Sequence, residues 1–195
     1  MARYGNEHKQ ATRRRIIETS GRRFKRDGID SSGIATLMAD AGLTNGAFYA
    51  HFASKDNLVA TAVADQLREQ RERFSALAPG RAGVEQYVRE YLSIQHRDHP
   101  DEGCPSAALL DEIGRCTGAV KQAYTDGLLA IIDDIGARLA PDNPQSARVQ
   151  TLSVFAMMIG TLQLSRALAD RQVADAVLAQ GIQNVLALLG ARQRT

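Results

Sequence analysis

Between Gly28 and Lys55 the chain is punctuated so densely that only short helices fit. Gly28 is a natural stop for a first helix, expected from about His8 to Asp27 with Ile16, Ile17 and Phe24 on its inner face. Ser31 or Ser32 can cap a second helix, Gly33–Ala41, whose Ile34, Leu37 and Met38 are spaced to face a core. Gly42 ends that helix, Leu43 fills the turn, and Thr44 caps a third short helix from Asn45 to about Phe52. Two short helices joined through a glycine turn can place the second one in the major groove of DNA.

The same punctuation continues downstream, and no convincing alternating strand interrupts it. Ser54 caps a long helix to about Leu77, whose stretch Arg68–Arg73 reads as too charged to be buried. Further helices are expected at about Gly83–Asp98, Pro105–Arg115, Gly118–Leu139, Gln145–Asp170 and Ala174–Ala191. The fold class is therefore all-α with nine helices. Aromatics at 5% and an absence of Trp agree with helix over sheet. No apolar run of the length needed to cross a bilayer and no secretory signal are read, so a cytoplasmic location is expected. Two cysteines, Cys104 and Cys116, are too few for a disulfide scaffold.

Charge divides the chain. Residues 1–26 hold nine Lys/Arg, Arg3 among them, against Glu7 and Glu18, a net +7; the remaining 15 Lys/Arg and 20 Asp/Glu give −5. A basic head on an acidic body suits a polyanion at one end, although a solvated basic helix has the same composition. In the third helix Phe48 and Phe52 share one face and can pack on Ile34, Leu37 and Phe24. Asn45, Gly46, Ala47 and Tyr49 are left outward, where the small residues let backbone approach base edges. Thr44, Tyr49 and His51 have the chemistry for phosphates, and Lys55 lies in a first helical turn where a cation needs an anion to offset the helix dipole. Taken singly, Tyr49 as a half-buried core ring, His51 as a surface histidine and Lys55 as a solvated lysine are equally ordinary.

The stretch Thr44-Asn45-Gly46-Ala47-Phe48-Tyr49-Ala50-His51-Phe52-Ala53-Ser54-Lys55-Asp56-Asn57-Leu58 resembles the TetR-family signature, and Ile34-Ala35 and Ala41-Gly42-Leu43 match it too. The resemblance covers about residues 10–60. It implies a helix-turn-helix DNA-binding domain at 1–54 and a helical effector-binding and dimerisation domain at 55–195. By position, Thr44, Tyr49, His51 and Lys55 would clamp backbone, with Asn45, Gly46 and Ala47 near base edges. At Asn45 many relatives carry Lys, Arg or His, so base preference does not transfer.

The implied function is a transcriptional regulator, in the first instance a repressor released from a palindromic operator by a small molecule; activation stays open. In the last two helices Leu152, Ala156, Ile159, Gly160, Gln163 and Ala167, and then Leu178, Ile182, Val185, Leu186 and Leu189, form stripes that serve either the chain's own core or, as the resemblance implies, a four-helix homodimer interface. The middle helices would enclose an effector pocket with Tyr87, Tyr91, Leu109, Tyr124, Phe155 and Met158 among its candidate linings.

Cys104 precedes Pro105 and so falls at a helix cap, where the dipole favours a thiolate; it is read either as a small structural residue or as an electrophile- or redox-sensing thiol, the alternative reading of the repressor. His96, His99 and Cys104 match no strong zinc spacing, and no residue completes a nucleophile–base–orienter set around Cys104. No cofactor, no metal and no enzymatic activity are expected. A general DNA-organising protein is the other competing class, separated by its lack of preference for one palindrome.

Overall fold

Helix α1 spans Ala2–Asp27 and turns at Gly28, whose φ is +90° and whose N–H donates to Phe24 O at 2.8 Å. The structure, a computed structural model, describes residues 2–191, with side chains from Asn6 to Gly190; Arg3, counted in the basic head, lies outside the described side chains. Helix α2 is Ile34–Asp40. It ends in paired bonds, Leu43 N to Met38 O at 2.8 Å and Gly42 N to Ala39 O at 2.9 Å, with Gly42 at φ +67°. This double closure requires a left-handed residue, which glycine supplies without steric cost.

Two local expectations are corrected here. Ser31 and Ser32 do not cap α2, whose N-cap is Gly33; their hydroxyls donate back to Asp27 O and Gly28 O, so they close the end of α1 instead. The third helix is a 3-10 helix, η1, over Asn45–Ala50, rather than an α-helix to Phe52. A six-residue segment containing Gly46 and lacking a side-chain cap at Thr44 gains little from α-winding, and Ala47 N accordingly bonds Thr44 O at 3.0 Å.

Helix α3, Lys55–Ser75, starts where the sequence places it: Ser54 Oγ accepts from Asn57 N at 3.1 Å. Then come α4 (Gly80–Tyr91), α5 (Ile94–Asp98), α6 (Pro105–Arg115), α7 (Gly118–Leu139), α8 (Pro144–Ala167) and α9 (Arg171–Ala191). The described residues thus form ten helical segments and no strand, one helix more than the nine expected, because the single helix anticipated over 83–98 is two. Leu92 leaves helical geometry, and Ser93 Oγ caps α5 by accepting from His96 N at 3.1 Å.

One continuous core joins head and body. Phe24, Leu37, Met38, Phe48, Phe52 and Leu58 are buried between α1, α2, η1 and the start of α3. Leu67 of α3 packs so closely on α7 that a Cβ at Gly127 would lie 2.7 Å from it. Helix α8 follows α7, and α9 covers α8. By length and a mean hydropathy of 1.4, α9 is apolar enough to cross a membrane, which corrects the expectation that no such run exists; 28% of it is buried within the chain.

Candidate nucleic-acid interface and effector cavity

The apolar side of η1 is fixed by Phe48, whose ring centroid lies 5.8 Å from that of Phe52 and 5.2 Å from that of Tyr49. With Phe48 inward, the opposite side is left to solvent. Thr44, Asn45 and Gly46 are exposed, Ala47 is half-buried and Tyr49 is 73% exposed. A tyrosine with so bare a ring, held edge-on by a buried phenylalanine, is positioned but unused by the fold.

His51 and Lys55 flank η1 and are both half-buried. The His51 Nδ1 is buried without a partner, and burial, followed by Lys9 and Arg13, pushes its pKa below the usual histidine value. Those two cations belong to α1, and the Arg13 guanidinium sits 4.5 Å from the centre of the Phe52 ring. The basic helix therefore lies beside the His51–Phe52 end of the η1 segment. Ion pairs join Arg23 to Asp27 and Asp40 and Arg26 to Asp27 at its far end, while Lys9, Arg14, Arg15 and Arg22 are exposed.

A cavity of about 580 Å³ opens between the last turns of α3, helix α4 and the stretch leading to α6. Gln70, Phe74, Tyr87, Tyr91, His96 and Cys104 line it. The expectation that the charged end of α3 is solvated fails at Gln70, which is 4% exposed: Arg68, Arg71 and Glu72 face water while Gln70 continues the inner stripe of Val63, Leu67 and Phe74. Its amide donates to the Tyr87 hydroxyl.

His96 shapes the opposite wall. Its Nδ1 contacts Tyr91 O at 2.7 Å and its Nε2 accepts from Cys104 N at 3.0 Å, which fixes a neutral ring with the proton on Nδ1. Burial lowers its pKa to about 4. A Cβ on Gly103 would fall 2.4 Å from His96 Nε2, so this close approach requires glycine. With both ring nitrogens committed to backbone, His96 has no lone pair free to act as a base or a metal ligand.

Cys104 caps α6, as its place before Pro105 predicts, and its sulfur accepts from Ser106 N at 3.3 Å. It is 3% exposed. Cys116 ends α6, half-buried, and both thiols are free. His99 is exposed at the cavity mouth. Among the described residues, no group of three or more His, Cys, Asp or Glu is placed to hold a metal ion.

Of the pocket residues named from sequence, the structure brings Tyr87 and Tyr91 to this cavity. Phe155 and Met158 border a separate void of about 10 Å³, behind Tyr87. Leu109 is core, and Tyr124 donates to Ser106 Oγ at 3.0 Å, its pKa raised to about 12 by burial. Gln70, Phe74 and His96 escaped the sequence reading. The i, i+3/i+4 continuation from Val63 through Phe74 is the signal that would have exposed the first two.

Residues 16–62 match the family model described as bacterial regulatory proteins, tetR family. The regulator TtgR of Pseudomonas putida is 37% identical over 75 residues, 38% of this chain and 35% of that relative. The fold of E. coli NemR in its reduced form superposes with a TM-score of 0.75 at 16% identity, over 90% of this chain and 95% of that one. Over residues 16–62 the chain is thus similar to TetR-family regulators, and its fold resembles theirs. The repressor Rv1474c of Mycobacterium tuberculosis, 31% identical over 93 residues, matches 48% of this chain and 47% of its own length. The alignments with these two curated proteins thus span about a third to a half of each relative.

The head is wired to the cavity wall by two polar ties. Lys25 of α1 donates to Gly103 O at 2.8 Å. The Glu112 carboxylate of α6 accepts from Ile29 N at 2.7 Å and Asp30 N at 3.2 Å, just beyond the Gly28 turn. The stripes on the last two helices divide. Ile159, Leu178, Val185 and Leu189 are buried in the chain's own core, whereas Ala156, Gly160, Gln163 and Ala167 face outward beside Val149, Met157 and Leu164.

Proposed function

We propose that this chain is a DNA-binding transcriptional regulator, in the first instance a repressor, that grips a palindromic operator as a homodimer and lets go when a small molecule fills the cavity beside Tyr91. The observation that carries the reading is the exposed side of η1, with Tyr49 73% exposed, together with a basic α1 on which Lys9, Arg14, Arg15 and Arg22 are exposed. In this reading Thr44, Tyr49, His51 and Lys55 hold sugar-phosphate, and Asn45, Gly46 and Ala47 meet base edges. We keep the division at residues 54 and 55 into DNA-binding and effector domains, a cytoplasmic location, and no catalytic role; the matched relatives are named as regulators and a repressor.

Dimerisation through the outer faces of α8 and α9 would set the two recognition segments roughly 34 Å apart, one turn of duplex. The outward residues of α8 are uncharged, and apart from Gln145 and Gln163 they are small or apolar, which allows close helix–helix approach. Release needs an effector that prefers the conformer unable to bind DNA. The ties from Gly103 and Glu112 to α1 and the following turn give such a preference a physical route. The thiol-switched version of this reading is less favoured, since Cys104 is buried and its sulfur is engaged by Ser106 N.

Selection on random duplexes tests the proposal. Folded, effector-free protein is expected to enrich an inverted repeat and to prefer it by roughly a thousandfold over random duplex. A failure to enrich any sequence removes the regulator reading; equal affinity for all duplexes selects a DNA-organising protein instead.

A further inference from the structure

The inner end of the cavity holds two polar atoms that the fold leaves unsatisfied. Gln70 Oε1 and the Tyr91 hydroxyl are buried, on residues each 4% exposed, and neither makes a hydrogen bond. The Tyr91 hydroxyl lies close enough to the Cys104 thiol for both charge and hydrogen-bond effects on its pKa, but meets no partner at full hydrogen-bond geometry. Both residues line the same space. Buried polar groups are nearly always paired, so two orphans on residues lining one cavity point to a missing partner.

The chemistry of the pair is specific. An amide oxygen only accepts. The Tyr91 phenol is held protonated, its pKa far above the usual tyrosine value because burial penalises the anion, so it offers a proton. Charged residues of both signs, Arg73, Arg89, Glu90 and Glu102, line the cavity but are exposed, at its solvent side. Lys25, behind the Gly103 wall, is already bound to Gly103 O. An ionic group at the inner end would therefore lack a counterion. A hydroxyl both donates and accepts, so it has the chemistry that both orphans lack. The walls of Phe74, Tyr87 and Tyr91 are aromatic, with Phe74 and Tyr87 edge-to-face at 5.2 Å and Tyr87 and Tyr91 5.9 Å apart. About 580 Å³ is within the range for a drug-sized ligand.

We infer that the cavity binds an uncharged, largely aromatic or alicyclic molecule through a hydroxyl that donates to Gln70 Oε1 and accepts from the Tyr91 hydroxyl. This rests on the reading of the cavity as the effector site.

The test is calorimetric titration of the purified full chain with 2-naphthol, its methyl ether 2-methoxynaphthalene and the anion 2-naphthoate. The naphthol is expected to bind at least tenfold more tightly than either analogue, because the ether cannot donate and the carboxylate brings an unpaired charge. Gln70→Met should reduce naphthol affinity to that of the ether and leave the ether unchanged, while Tyr91→Phe should weaken both. No naphthol binding, equal affinity for naphthol and ether in the unaltered protein, or discrimination that survives in Gln70→Met overturns the inference. The wild-type comparison needs no variant to fold. Release of a selected duplex by 2-naphthol, read by fluorescence anisotropy, is scored separately. Hydroxyl discrimination without release keeps the binding site and removes the effector reading; lost discrimination with intact DNA binding removes the site alone.

Discussion

Lys25 and Gly103, 78 residues apart in sequence, are joined by a hydrogen bond of 2.8 Å between the ammonium and the backbone carbonyl. The bond ties the end of the basic helix to the wall of the cavity. Burial lowers the lysine pKa to about 8, opposed in part by Cys104. No carboxylate pairs with it among the described residues; Glu69 and Asp101 act on it only at a distance.

That placement has a signature in stability against pH. The folded pKa lies below the ordinary 10.5, so between about pH 8 and 10.5 the unfolded chain binds more protons, and stability rises with pH across that window. A shift of this size corresponds to about 3 kcal/mol. Urea unfolding of Lys25→Met over the same range is expected to lack this rise relative to wild type; parallel curves would contradict the buried ammonium.

His96 gives the complementary test on the acid side. Its folded pKa of about 4 lies below the ordinary 6.5, so its contribution is complete above pH 6.5 and is lost as pH falls toward 4. We expect about 3 kcal/mol of wild-type stability to disappear in that interval beyond what His96→Asn loses. A variant with the same acid profile would show that the imidazole is not buried as described.

Removing the Glu112 side chain should loosen the head from the body. Glu112→Ala leaves the N–H groups of Ile29 and Asp30 without an acceptor, at a cost of about 1–3 kcal/mol, whereas Glu112→Gln keeps one oxygen for them and should cost less. Hydrogen exchange at Ile29 and Asp30 reports the effect directly, and unchanged protection in Glu112→Ala would be decisive against it.

At the DNA face, Lys55→Ala is expected to weaken binding to all duplexes alike and to reduce the slope of log affinity against log salt by about 1, as for one lost phosphate contact. Asn45→Ala should instead change which bases are selected. Binding isotherms at several salt concentrations separate the two.

On α8, a side chain at Gly160 would meet nothing within 4 Å in the single chain. Gly160→Glu should therefore fold normally yet dissociate the proposed dimer, with sedimentation velocity as the readout. A variant that stays dimeric moves the interface elsewhere.

What the sequence disclosed was local. Gly42 with Leu43, Ser54 before Lys55, and Cys104 before Pro105 each act within a few residues, and each does in the fold what its position predicts. Phe48 and Phe52 likewise declared the inner side of η1. The break at Leu92 and Ser93 stayed hidden because a serine inside an amphipathic run reads as a solvated helical position, and only its bond from His96 N makes it a cap. The cavity was half legible. Tyr87 and Tyr91 announced themselves by type, but Gln70 is surrounded in sequence by charges, and its burial depends on α4 and the Gly103 stretch folding over it. Likewise, Leu178 and Val185 could have served either a partner or the chain's own core, and long-range packing alone assigned them to the core.

Fixing the imidazole of His96 between two main-chain groups has a consequence for sensing. From roughly pH 5 to 9 neither that ring nor the phenol of Tyr91 changes protonation, given a pKa near 4 for one and far above 10 for the other. Proton uptake by these two groups therefore cannot alter what the chamber retains in that span, whereas Lys25, with a pKa of about 8 and bound to the Gly103 wall, can.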